Sequence, residues 1–139
     1  MAAHTAILIP VFVLAAWTAC VLLRVAFVRV TGPMRPHAYT LGEPDGVPAR
    51  VAIPNRNYMN LLELPLLFYV ACLLLFVTGG ATPLAVALAW AYVALRIAHS
   101  LIHLSYNHVM HRFTAFALSN FVLIILWWCA WQGVRALAQ

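Results

Sequence analysis

Three side chains near the middle of the chain stand where chemistry could be done. Arg56, Asn60 and Glu63 occur at i, i+4 and i+7, which on a helix spans an arc of about 60° and makes one face. Downstream, Tyr92, Arg96, His99, His103 and Tyr106 recur at three- and four-residue intervals and line up as a second polar face. Both groups lie in or beside apolar sequence. A charged side chain at the centre of a membrane helix costs about 2.5–3.5 kcal/mol on insertion scales, so such groups turn toward a protein interior and mark function. Guanidinium groups grip carboxylates through paired hydrogen bonds, a carboxylate accepts from an ammonium, and an Asn amide can do either. The two faces together suit a small zwitterion of peptide or amino-acid type, meeting an apolar molecule delivered from lipid.

Glu63 is the one acid within the apolar runs. The spacing puts it at least a turn below the membrane interface, where a carboxylate needs a cation or several donors to stay ionised. Arg56 and Arg96 are the partners in reach, and a plain interhelical ion pair is the structural alternative to a binding role. His99 and His103 at i, i+4, with His108 and His111 nearby, have the spacing of a metal chelate. All four lie on one helix and its end, whereas a bis-histidine haem needs ligands on facing helices; no metal is expected.

The elements that must position these groups follow from composition. The 139 residues are 65% hydrophobic and 8% charged, far less charge than the quarter or so of a soluble domain. A helix crosses the hydrocarbon core with about 20 apolar residues. Residues 5–23 and 113–134 are free of Asp, Glu, Lys and Arg, as is the long tract 64–95. That tract is divided by Thr78-Gly79-Gly80-Ala81-Thr82-Pro83, which reads as a tight turn, a Thr N-cap and a Pro at the first helical position. Four helices are therefore expected, at about 5–28, 56–78, 83–108 and 112–135, forming one all-α transmembrane domain over 1–139. The first apolar run lacks a basic start and a small-residue cleavage site, so it reads as a retained helix. Between the first two helices, residues 30–54 hold Pro33, Pro36, Pro44, Pro48 and Pro54 with Glu43 and Asp45, and read as a loop over the membrane surface. On the third helix, Ala87, Ala91, Ala94 and Ala98 oppose the polar face and suit close helix packing. Trp127, Trp128 and Trp131 read as an interfacial belt.

All eight basic residues are Arg. Arg24, Arg29, Arg35, Arg50 and Arg56 cluster around the first connection and Arg112 at the third, so both connections are expected to face the cytoplasm and both termini the other side, with Arg135 a minor dissent. The net charge of +5 is then a topology signal. No basic stripe runs along an exposed element, which argues against nucleic acid. Cys20, Cys72 and Cys129 each fall in an apolar run without CxxC spacing, and read as packing residues.

The segment Arg56-Asn57-Tyr58-Met59-Asn60-Leu61-Leu62-Glu63-Leu64-Pro65 resembles the R-x-x-x-N-x-x-E…P signature of the MAPEG family, membrane proteins of eicosanoid and glutathione metabolism. Arg96-Ile97-Ala98-His99-Ser100 resembles the helix-three motif of its prostaglandin synthases and microsomal glutathione transferases. The resemblance covers nearly the whole chain and is closest to bacterial-type members, which implies an inner-membrane location. It implies a homotrimer of four-helix bundles that binds glutathione as co-substrate between subunits and meets a hydrophobic substrate from lipid. Arg56, Asn60, Glu63, Arg96, His99, His103 and Tyr106 would hold the tripeptide. The family's thiolate-stabilising Arg lies nine residues beyond a helix-three Tyr; the matching positions here are His103 and Arg112. Arg24 resembles a basic residue that some members place near the thiol. Two features depart from the pattern: His stands at 103 in place of Tyr, and Pro65 follows Glu63 by two residues. The activity implied is glutathione transfer to a hydrophobic electrophile or glutathione-dependent peroxide reduction. The alternative is a non-catalytic member that binds lipid or another amphiphile.

Overall fold

A computed structural model describes residues 2–40 and 42–138. Among these, all regular structure is helical: α1 (Ala2–Ala6), α2 (Leu8–Val30), a 3-10 turn (Pro36–Tyr39), α3 (Ala49–Leu62), α4 (Leu64–Val77), α5 (Pro83–Leu104) and α6 (Val109–Ala136). They make four helices long and apolar enough to cross a membrane, His4–Val30, Ala49–Val77, Pro83–Leu104 and Val109–Leu137. This is an all-α, multi-pass integral membrane protein.

The second span departs most from expectation. It begins at Ala49, not at 56, so the last residues of the expected loop are helical. Val51, Ala52 and Pro54 are buried, and packing this apolar face against α2 outweighs the amide that Pro54 cannot donate. The span is also interrupted. Glu63 sits at φ −76°, ψ −95° between α3 and α4, because Pro65 cannot donate to the Leu61 carbonyl and disfavours helical geometry at Leu64. The Leu66 amide bonds the Glu63 carbonyl at 3.1 Å instead. The expected burial of Glu63 is overturned by this break: its side chain is exposed on the single chain.

The connection between α4 and α5 is as the sequence implies. Gly79 takes φ +69°, a left-handed conformation that is cheap only without a Cβ, and the Thr82 hydroxyl accepts from the Ala85 amide at 3.2 Å ahead of Pro83. α5 ends at Leu104 rather than near 108, with a four-residue connection, Ser105 to His108, before α6.

Inside the bundle, α5 packs most extensively on α6, α2 on α3, and α4 on α6. α5 turns Ala85, Ala89, Tyr92, Arg96, His99 and His103 inward; Tyr92 stacks on Phe68 at 4.6 Å. The polar face of α5 turns inward as expected, but the Ala face does not pack within the chain: Ala87, Ala91, Ala94 and Ala98 are exposed. Cys72 is buried and Cys129 half-buried as expected, but Cys20 is exposed. Trp128 and Trp131 face outward near the end of α6. The first connection is tied down by Arg29, which donates to Asn55 Oδ1 at 2.9 Å, while Asn55 donates to Glu43 at 2.7 Å.

Candidate functional site

The ends of α3 and α5 are held together by a buried polar node. Ser100 Oγ accepts from Trp17 Nε1 at 2.9 Å and from Asn57 Nδ2 at 2.7 Å, joining α2, α3 and α5. Asn57 follows Arg56 directly, and Ser100 lies between His99 and His103, so the node fixes the register of the two polar faces against each other. In lipid such interhelical bonds and close contacts, not hydrophobic burial, hold helices together.

Above the node opens a cleft of about 430 Å³ lined by Ile53, Arg56, Met59, Asn60, Glu63, His103, Asn107, Val109 and Arg112. Its size is within the range of small-molecule sites. α3 supplies Arg56 and Asn60, the break supplies Glu63, α5 supplies His103, the connection supplies Asn107, and the first turn of α6 supplies Arg112. Two guanidinium groups and one carboxylate therefore share one recess. Arg56 also lines a neighbouring recess of about 370 Å³ with Glu43, Pro44, Asp45, Gly46, Val47 and Ala52.

Arg112 is the most fully engaged of the cleft residues. Its Nη1 donates to Asn107 Oδ1 at 2.7 Å and lies 3.1 and 3.3 Å from the two ring nitrogens of His103; only an unprotonated imidazole nitrogen can accept such a bond. The Arg112 backbone carbonyl is 3.0 Å from His99 Nδ1. His99 thus anchors the start of α6 and does not line the cleft. Arg96 is wholly buried behind the wall. Its Nη2 donates to the backbone carbonyl of Asn60, not to Glu63, so the ion pair considered from sequence gives way to a bond to main chain. Its guanidinium carbon lies 5.7 Å from the Phe116 ring centre, and among the described residues its Nε and Nη1, and His99 Nε2, have no hydrogen-bond partner.

Five of the nine residues expected from sequence therefore meet in the cleft: Arg56, Asn60, Glu63, His103 and Arg112. Arg96 and His99 stand behind it. Two residues lie elsewhere in the chain. Arg24 lines a separate groove with Trp17, Cys20, Val21, Leu101, Leu104 and Ser105. Tyr106, beyond the end of α5, is exposed and bonds His111 at 3.1 Å; the expected helical phase is lost once α5 stops at Leu104. Asn107 was missed by sequence reasoning, although an Asn in a short interhelical connection is a familiar left-handed position. Among the described residues, no group of three or more His, Cys, Asp or Glu could hold a metal ion.

Residues 7–131 match the MAPEG family. The chain belongs to that family. No curated protein and no solved structure matches it. The MAPEG fold is a four-helix membrane bundle, in agreement with the four spans here, and membership ties the protein to membrane-associated glutathione or eicosanoid metabolism. MAPEG proteins generally take glutathione as a substrate. The cleft holds guanidinium donors, one carboxylate acceptor and side-chain amide groups.

Proposed function

We propose that this MAPEG protein is a membrane-bound, glutathione-dependent transferase or peroxidase acting on a hydrophobic electrophile. The observation that carries the reading is Arg112, held by Asn107 and His103 in the wall of a cleft that also presents Arg56, Asn60 and Glu63. Arg56 binds a glutathione carboxylate, Glu63 accepts from the α-ammonium, and Asn60 bonds the peptide. Arg112 is then left to face the thiol. A guanidinium beside a thiol favours the thiolate, and the thiolate is the nucleophile. In transfer, the sulfur lone pair forms a carbon–sulfur bond and the leaving group departs with the electron pair of the bond it breaks; the thiol proton goes to solvent. In peroxide reduction, the thiolate attacks the terminal peroxide oxygen, the O–O bond breaks, the departing alkoxide takes a proton from solvent to leave as the alcohol, and a second glutathione resolves the sulfenic acid as disulfide and water.

The reading includes a homotrimer, in which Arg24 reaches the thiol of a neighbouring subunit's cleft, as its outward position on the single chain allows. It also places the two Arg-bearing connections, and the cleft between them, on the cytoplasmic side.

Isothermal titration of the detergent-solubilised protein with glutathione, alongside the ultraviolet thiolate band, tests it. Arg56→Ala and Glu63→Gln each weaken binding by roughly tenfold or more, the scale of a lost charged hydrogen bond. Arg112→Ala keeps binding but loses the thiolate band and lowers kcat by roughly 10²-fold, the scale of one lost oxyanion-stabilising donor. Absence of glutathione binding by the unaltered protein sinks the proposal.

A further inference from the structure

Asn107 has a backbone that is unusual for a residue with a side chain. Its φ is +49°, the one positive value among the described non-glycine residues. Asn is among the few L residues that enter this region readily. The conformation has a local purpose: it carries the chain off the end of α5, and the Asn107 amide returns to bond the Ile102 carbonyl at 2.8 Å, satisfying an acceptor the helix end would leave open. Glycine would serve that purpose at least as well.

The side chain does something glycine could not. It lines the cleft, and Oδ1 accepts a hydrogen bond from Arg112 Nη1 at 2.7 Å, closer than either ring nitrogen of His103 at 3.1 and 3.3 Å. The two partners also differ in kind. An amide oxygen accepts at every pH and in every state of the site, whereas His103 accepts only through an unprotonated nitrogen. Because the backbone bond to Ile102 fixes Asn107 on the end of α5, the amide oxygen is a stationary post and the guanidinium is tethered to it. The bond crosses from the α5 end to the first turn of α6, the same two elements that His99 joins through the Arg112 carbonyl. Backbone and head group of Arg112 are thus both referenced to α5.

We propose that Asn107 is a positioning residue for Arg112: it accepts from Nη1 and so aims the guanidinium at the glutathione thiol. The inference rests on the proposed glutathione chemistry and adds to it a residue that neither the polar stripes nor the family signature singles out. Charge is not its contribution. Arg56, Glu63, His103 and Arg112, the ionisable groups lining the cleft, are unchanged when Asn107 is replaced, so any loss reports the placement of a cation and not its presence.

Two substitutions separate the backbone role from the side-chain role in the full chain in detergent micelles. Asn107→Gly keeps the left-handed backbone and removes the acceptor; Asn107→Ala removes both. Thermal midpoint, glutathione affinity, the thiolate band at saturating glutathione, and kcat with chlorodinitrobenzene as the electrophile are measured for each. Asn107→Gly retains the midpoint and binds glutathione within about twofold of the unaltered protein, while its thiolate band and kcat fall roughly tenfold, the scale of one charge-assisted bond. Asn107→Ala shows the same losses with a lowered midpoint. A thiolate band and kcat unchanged in Asn107→Gly overturn the inference and leave the proposed function standing. Loss of binding by a folded Asn107→Gly also overturns it, since Asn107 would then be a ligand contact. If the unaltered protein binds no glutathione, the proposed function falls and this inference falls with it.

Discussion

Ser100→Ala tests the polar node that sets the two cleft-bearing helices in register. The substitution removes one oxygen and opens no cavity larger than that atom, so the change isolates hydrogen bonding. The lost oxygen accepts from Trp17 Nε1 at 2.9 Å and Asn57 Nδ2 at 2.7 Å, and both Ser100 and Asn57 are wholly buried. By the rule for soluble proteins, each orphaned buried donor costs about 1–3 kcal/mol, and with Asn57 wholly and Trp17 partly buried about 2–6 kcal/mol is an upper range for the pair. Bonds between membrane helices are worth less, about 0.6 kcal/mol on average and about 1.7 at most, because the separated helices also find partners within the bilayer. The membrane figure governs here, so the expected loss is about 1–3 kcal/mol. Reversible unfolding of the protein in mixed micelles measures it. Trp17→Phe removes one donor while keeping a ring, and the Ser100→Ala/Trp17→Phe double variant should lose less than the sum of the single losses, since neither group is then left without a partner. Strict additivity, or a loss below about 0.5 kcal/mol for Ser100→Ala, would show that the node is a coincidence of packing and would refute its assignment as the fastener of the cleft.

Two further outcomes follow from particular geometry. Tyr106→Phe leaves glutathione affinity and kcat at their unaltered values in titration and steady-state assays, because Tyr106 lies beyond α5 and bonds His111 on the outside; a tenfold change in either would return it to the binding set. Gly79→Ala lowers stability by about 1 kcal/mol through its φ of +69° alone, since nothing lies within 4 Å of an added Cβ. Gly79→Asn should recover part of that loss in the same unfolding measurement, and equal losses for the two variants would place the cost in contacts, not in backbone conformation.

The number and approximate place of the spans were legible because lipid imposes a one-dimensional rule: a run long and apolar enough crosses as a helix. The turn at Gly79 was legible for the same local reason, a Gly for positive φ and a Thr-Pro pair to start the next helix. The start of the second span was not. Pro54 and the charged Arg50 argue locally for a loop, and only the packing of Val51, Ala52 and Pro54 makes residues 49–55 helical. The reach of α5 was overestimated by the periodicity that runs on to Tyr106, since a helical spacing does not reveal where a left-handed Asn turns the chain away.

Residue type and interval alone determined that Arg56, Asn60 and Glu63 share one side of a span and that Arg96, His99 and His103 share one side of another, because helical geometry fixes angles along a single segment. What faces whom across the bundle was decided by tertiary structure. It put Arg96 against the Asn60 carbonyl in place of Glu63, sent Arg24 and Tyr106 away from the cleft, and brought Asn107 to Arg112. Those pairings depend on how whole helices tilt, break and end, and that is the summed outcome of contacts between segments distant in sequence, which no local interval encodes.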